Sequence, residues 1–361
     1  MKAQLNATIR ILSLGAAMAS VFFSGCRKDG LKYDVPESYD FENVSYSGQS
    51  QRMDMVEEMV GYMETALTPG TTLDAQHMID MFENTNNPFT FTSTKQLKDK
   101  CFLSEQDSVY DLIARVSGSA TSSQAAAPGI PGIATSGNGQ SKYLLDANGV
   151  DVITLTELTL MGAVMYYQAT GVYLTDAQTG AAVDNETVTD GEGTPLQHHW
   201  DEAFGYFGAP KDFPTNTADA RYWASECNEL ESLLHLNDSI MTAFITGRAA
   251  INHDDHETKD AQIAIIRENW EIVVAAIAIH ELNEAKEDFG DDALRNHEVT
   301  EAIGFIRALQ FNPVKKISNA QIQTALGALG TNLYAVTLQD LAEVRNLLAS
   351  VYGLTSIKDQ L

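Results

Sequence analysis

The chain has 361 residues, 49 acidic against 23 basic side chains and a formal net charge of −26. Such a surface repels nucleic acid and anionic lipid headgroups, so neither is an expected partner. The length allows one large hydrophobic core or two ordinary ones.

The first expected element is a leader. Lys2 and Arg10 precede or open an apolar run, Ile11 to Phe23, which has the length of a signal-peptide core and is too short to span a bilayer. Phe23-Ser24-Gly25-Cys26 then places small residues directly before a cysteine, as in a lipobox, with Phe23 where leucine is usual. Cleavage there leaves Cys26 as the lipidated first residue and the acyl chains as the membrane anchor. Removing Lys2 and Arg10 leaves 21 basic against 49 acidic residues, a net charge of −28. Arg27 stands where an Asp would favour inner-membrane retention. The expected location is therefore the outer membrane, on its periplasmic face or at the cell surface. Cys101 and Cys227 remain, and in an oxidising envelope a disulfide between them is open. Residues 26–50 read as the lipidated terminus and tether.

Helical periodicity dominates from there. Met53, Val56, Met59, Val60, Met63 and Leu67 form an apolar stripe stopped by Pro69-Gly70. Short helices are expected over 75–82 and 106–116, and a flexible insertion rich in Gly, Ser and Pro over 117–140. A strongly apolar helix follows over 154–170, then a polar loop over 175–193. Thr194-Pro195-Leu196-Gln197 is a helix start, with Thr as N-cap, Pro in the first turn and Gln closing a capping box. Further helices are expected over 221–236, 238–246, 258–287, 293–310, 318–329 and 338–351. Strand alternation is nearly absent. The fold class is all-α, and about eight substantial helices suit two four-helix bundles, residues 51–215 and 216–361.

Two segments share a pattern. His198-His199-Trp200-Asp201-Glu202-Ala203-Phe204-Gly205 and His297-Glu298-Val299-Thr300-Glu301-Ala302-Ile303-Gly304 align at an offset of 99 residues, with His, Glu, Ala and Gly coincident. In a helix His198 and Glu202 share a face, as do His297 and Glu301. These are residue types that metal or acid–base sites use. A hairpin turning near residues 290–291 would set Glu284 opposite His297 and His280 opposite Glu301. Bundle metal sites are built from such facing His and carboxylate groups. The alternative is that all of them are surface residues or salt-bridge partners.

Other clusters carry less. His280-Glu281-Leu282-Asn283-Glu284 and His297 to Glu301 read H-E-x-x-E and lack the second His of the zincin motif. In His253-Asp254-Asp255-His256-Glu257 an Asp caps the next helix and the rest is solvated. His77 and His235 read as structural or surface residues. There is no G-x-S-x-G, no catalytic-cysteine pattern and no phosphate-cradling glycine loop.

At His199-Trp200-Asp201-Glu202 the chain resembles the imelysin-like envelope proteins. Their hallmark is G-x-H-x-x-E on a helix at the junction of two related bundles. His199 and Glu202 match H-x-x-E, and Gln197 stands where that family has Gly. The series Tyr46-Ser47-Gly48-Gln49, Leu160-Met161-Gly162-Ala163, His198 to Tyr206 and Glu301 to Phe305 is similar to a subgroup of Gram-negative envelope lipoproteins of unassigned function. The resemblance implies an internally duplicated helical fold with the motif helices near the bundle interface, and an envelope location. It also implies a role linked to iron uptake, with peptidase activity in some members.

The expected function is a lipid-anchored envelope protein that binds a metal ion or metal-bearing ligand without catalysis. His199 and Glu202 are first ligands by resemblance. His198, Asp201, His297 and Glu301 join or support them by position, with His280 and Glu284 behind. Mixed nitrogen and carboxylate ligation suits iron or zinc. The alternatives are a metallopeptidase of the imelysin type and a scaffold without metal that engages an envelope protein.

Overall fold

The computed structural model describes residues 30–361, so the leader and Cys26 lie outside the described residues. Thirteen α-helices and one two-stranded sheet make up the regular structure there, an all-α fold. In chain order the helices are α1 (Ser47–Glu64), α2 (Ala75–Glu83), α3 (Gln106–Ala120), α4 (Val152–Leu160), α5 (Asp176–Thr179), α6 (Pro195–Phe207), α7 (Trp223–Glu229), α8 (Glu231–Leu234), α9 (Asn237–Asn252), α10 (His256–Glu287), α11 (Asp292–Ala308), α12 (Asn319–Leu329) and α13 (Leu338–Tyr352). Helix α4 runs on without a break as a π-helix, Met161–Tyr173.

Helix α10 is the spine. Val273 to Ile279 contain no polar side chain, and all seven are fully buried. A helix apolar on every side has to be enclosed by other helices. Here α9, α11 and α13 pack around it. Helix α11 in turn packs on α4, and α6 on the π segment, α1 and α9. One hydrophobic core runs from Tyr39 to Leu361, and residues 33–361 form one compact unit.

Local signals set the helix ends. Thr194 and Gln197 form the expected capping box, Pro195 opens α6, and Gly208 closes it in the left-handed conformation. Asp151, Asp255 and Asp291 cap α4, α10 and α11. The two motif glycines are close approaches of helices. A Cβ on Gly205 would stand 2.5 Å from the Tyr46 Cβ, and one on Gly304 would stand 2.6 Å from the Leu158 Cβ.

Several expectations change. The tether is shorter than residues 26–50, because Tyr39 is fully buried, stacks on Phe204 at 3.8 Å and hydrogen-bonds into the core. The region 117–140 is only partly loop. Helix α3 extends to Ala120, and β1 (Gly132–Thr135) pairs antiparallel with β2 (Lys142–Leu145). The helix expected over 221–236 is interrupted at Leu230, while α10 continues unbroken. Cys101 and Cys227 are both buried and free, so they do not pair with each other. Among the described residues no helix is long and apolar enough to cross a membrane.

Candidate metal centre

A cleft of about 1210 Å³ opens between α1, α4, α7 and α11. Leu158, Met161 and Phe305 form apolar parts of its wall, and Glu157, Glu226, His297 and Glu301 line it. On the α1 side stand Asp54, Glu57, Glu58 and Glu64. Arg221 is the cation on this wall, and it is engaged by Asp54 at 2.8 Å and Glu57 at 2.9 Å.

His297 is held in one orientation. Its Nδ1 lies 2.9 Å from Asp151 Oδ2, and its ring stacks on Tyr143 with centroids 4.0 Å apart. Asp151 is buried and is itself fixed, capping α4 and accepting from the Thr154 hydroxyl at 2.9 Å. A carboxylate only accepts, so Nδ1 carries the proton. Nε2 then faces Glu301 Oε2 at 3.4 Å. Metal-bound histidines are commonly oriented in this way through the other ring nitrogen. The 3.4 Å gap also suits two ligands of one ion. Atoms held about 2.0–2.2 Å from a tetrahedral metal stand roughly 3.4 Å apart. Burial alone would lower the His297 pKa. The Asp151 hydrogen bond and the charges of Glu301, Asp151 and Glu298 outweigh it and raise the pKa.

The surrounding carboxylates repel one another. Burial first, then Glu64, Glu301, Asp151 and Glu57, pushes Glu157 up to about 7. Burial, then Glu229, Glu301 and Glu157, pushes Glu226 up to about 8. Glu281 is raised well above its usual range by burial and by Glu301, with which it shares a hydrogen bond. These groups come from α4, α7, α10 and α11, so four helices each direct acid toward the same region.

The first motif is built differently. Asp201 is fully buried and accepts from Tyr39 Oη at 2.6 Å and Arg248 Nε at 2.9 Å. It is a core ion-pair partner of Arg248. Glu202 accepts from Gln49 Nε2 at 2.8 Å and Tyr173 Oη at 3.0 Å. Lys100 Nζ donates to the same tyrosine oxygen at 2.8 Å. His198 Nε2 is 3.9 Å from Glu202 Oε2, and His199 Nδ1 lies 2.7 Å from the Gln178 carbonyl. These groups tie α6 to α1 and the π segment, and none of them lines the acidic cleft. The two motifs therefore occupy separate places.

Residues 36–355 match a protein family described as a domain of unknown function, DUF4856. The chain belongs to the DUF4856 family. No curated protein matches it, and no solved structure does. The DUF4856 match spans both motifs and every residue of the cleft, and begins just before the buried Tyr39.

Within the DUF4856 domain the α10–α11 hairpin is offset by one residue from the expected register. Glu281 meets Glu301, and Glu284 meets Glu298, so Glu284 does not face His297. One residue turns a helix by about 100°, which carries His280 off the seam. Its Nε2 lies 3.6 Å from Glu229 Oε1 on α7 instead. Among the described residues, Glu284, Asp288 and Glu298 each bring one carboxylate oxygen to within 4.8 Å of one from each of the other two. Burial and Asp288 push Glu298 up to about 8.

The sequence reading missed Asp151, Glu157, Glu226 and Glu281 as site residues. Two of them left a signal. Glu157 is the lone charge in the apolar run Val152–Leu160, and Asp151 stands directly before that run in the N-cap position. Glu281 lies next to His280 in an H-E-x-x-E segment, and only the hairpin register decides which of the two faces Glu301. Glu226 left none, because only tertiary packing brings α7 to the cleft.

Proposed function

We propose that the acidic cleft binds a divalent transition-metal ion, iron or zinc, and that the protein holds the ion without catalysis. His297 and Glu301 are the first ligands, Glu226 and Glu157 neutralise the remaining charge, and Asp151 orients the imidazole. The carrying observation is His297, clamped through Nδ1 by a buried carboxylate while Nε2 stands 3.4 Å from Glu301. The repulsion between Glu301 and each of Glu157, Glu226 and Glu281 supports a cationic occupant. His199 and Glu202, the residues of the imelysin-like resemblance, then act as scaffold, joining helices through hydrogen bonds.

Titration of the metal-stripped protein with zinc tests this. Wild type is expected to take up one equivalent. His297→Ala/Glu301→Gln should weaken binding at least a hundredfold, and Asp151→Asn by about 10–100-fold. His199→Ala/Glu202→Gln should still bind. Uptake that survives the His297/Glu301 change, or that vanishes with the His199/Glu202 change, would refute the assignment.

The proposal keeps the envelope setting. Cys26 carries the lipid, outer-membrane location follows, and iron uptake is the process this binding would serve. In a Gram-negative host, Cys26→Ala should accumulate as unprocessed precursor or move to the soluble periplasmic fraction. A variant recovered as fully processed membrane protein would rule out the anchor.

A further inference from the structure

A second cavity, of about 410 Å³, is lined by residues of α11, α12 and the segment that leads into α3, and it shares no lining residue with the acidic cleft. Glu105 stands directly before α3, Arg307 lies near the end of α11, and Gln310 follows in the 3₁₀ turn Leu309–Phe311. Another wall is one face of α12, where Asn319, Ile322, Gln323 and Leu326 recur at three- and four-residue steps. Ile322 is buried, Leu326 is half-buried, and Asn319 and Gln323 are exposed, so this wall offers both aliphatic surface and amides. The decisive member is Arg307. Among the described residues it makes neither a hydrogen bond nor an ion pair, whereas every other arginine there donates to a carboxylate, an amide or a backbone carbonyl. Arg307 is exposed, yet its surroundings strip enough water to lower its pKa; Glu105 opposes that shift and Arg115 adds to it. Glu105 thus acts on Arg307 without closing an ion pair. Its own carboxylate has one side-chain donor, Gln310 Nε2, at a long 3.4 Å. Opposite charges therefore line one cavity, and neither is paired within the protein.

We propose that this cavity binds a small zwitterion of the amino-acid class, with its carboxylate on Arg307, its ammonium on Glu105 and an aliphatic side chain against Ile322 and Leu326. A guanidinium presents a planar fork of N–H donors that matches a carboxylate, and all the donors of Arg307 are uncommitted. An ionised Glu105 only accepts, which suits an ammonium. A lone anion would meet the repulsion of Glu105, and a lone cation that of Arg307. A neutral molecule would leave both charges uncompensated. A zwitterion answers both and adds no net charge. The size agrees, since cavities of roughly 300–1,000 Å³ hold small ligands. A free amino acid and a dipeptide share this chemistry and differ in the distance between their charged ends. The site needs no metal and stands independently of the cleft assignment.

The test is calorimetric titration of the protein at neutral pH with L-leucine and, separately, with L-leucyl-L-leucine. One of the two should bind, and which one does fixes the separation of the charged ends. Blocking the carboxyl end as an amide, or the amino end with an acetyl group, should weaken binding to wild type by about tenfold or more. Arg307→Gln should lose a similar factor toward the zwitterion and become indifferent to the carboxyl block. Glu105→Gln should become indifferent to the amino block. This crossed pattern assigns each end of the ligand to its partner. Arg307 is exposed and Glu105 half-buried, so both variants should keep the wild-type Tm, and the blocked ligands test the site on wild type in any case. His297→Ala/Glu301→Gln should bind the zwitterion as wild type does, whatever it does with zinc. If neither ligand binds at millimolar concentration, or if Arg307→Gln binds as tightly as wild type or still rejects the amide, the site is overturned. Binding lost only in His297→Ala/Glu301→Gln places the ligand in the cleft and also overturns it.

Discussion

Replacing Asp201 with Ala is expected to cost about 3–5 kcal/mol of folding stability, the largest effect of any change in the first motif. Asp201 and Arg248 are both fully buried, and the Nε–Oδ1 distance is 2.9 Å. Without the carboxylate, the guanidinium keeps Asn252 Oδ1 and the Glu42 carbonyl as acceptors but loses its buried ion-pair partner. Tyr39 loses its acceptor at the same time. The loss comes from stranding a charge, and so it overstates the net worth of the pair. Asp201→Leu combined with Arg248→Met should therefore recover much of the loss. Urea unfolding of the three variants, extrapolated to water, measures the effect. A single variant that loses less than about 1 kcal/mol would contradict a structural role for Asp201. Zinc affinity gives the second readout: it should be unchanged in every Asp201 variant that folds, because this pair does not line the cleft.

The contrast between the two motifs shows what could be read in the sequence. Helix existence and helix ends were legible because their causes are local: the stripe of Met53 to Met63 and the Thr194 capping box. The repeat of His, Glu, Ala and Gly was legible too, and both glycines do mark close helix contacts. What each motif does was not legible. Both place His and Glu at i and i+4, yet Glu202 meets donors from Gln49 and Tyr173, whereas Glu301 meets Glu281 and His297. Those partners are distant in sequence, and nothing within either motif specifies them. The hairpin shows the same limit at smaller scale. Its turn was placed correctly to within a residue, but a shift of one residue exchanged Glu281 for His280 on the inner face. A helix tolerates no such error when the question is which side chain meets which.

Stability is expected to fall as pH rises from about 5 to 8, which is the second large effect. Glu157 and Glu226 have an unfolded value near 4.5 and are raised in the fold to about 7 and about 8. Between those limits the native state holds protons that the unfolded chain has released, so raising pH favours unfolding. His297 acts in the same direction. Its pKa is raised in the fold, so the stability it contributes is present at low pH and is lost as pH climbs through the folded value. Asp80, Glu83, Asp184 and Asp255 are lowered, and they set the opposite limit by losing stability only in stronger acid. Maximum stability of the metal-free protein therefore belongs on the acid side of neutrality. Glu157→Gln/Glu226→Gln should flatten the decline and stabilise the protein at pH 8 by on the order of 1–3 kcal/mol, after allowing for water in the open cleft. Zinc at saturation should flatten it too, because the ion replaces the protons that these groups would otherwise retain. Chemical unfolding at four or five pH values, with chelator and with zinc, separates these contributions. If the double Gln variant declines as steeply as wild type, the cleft carboxylates are not the source of the slope. If zinc leaves the wild-type slope unchanged while the Gln variant flattens it, the carboxylates repel as described but the cleft does not hold the metal.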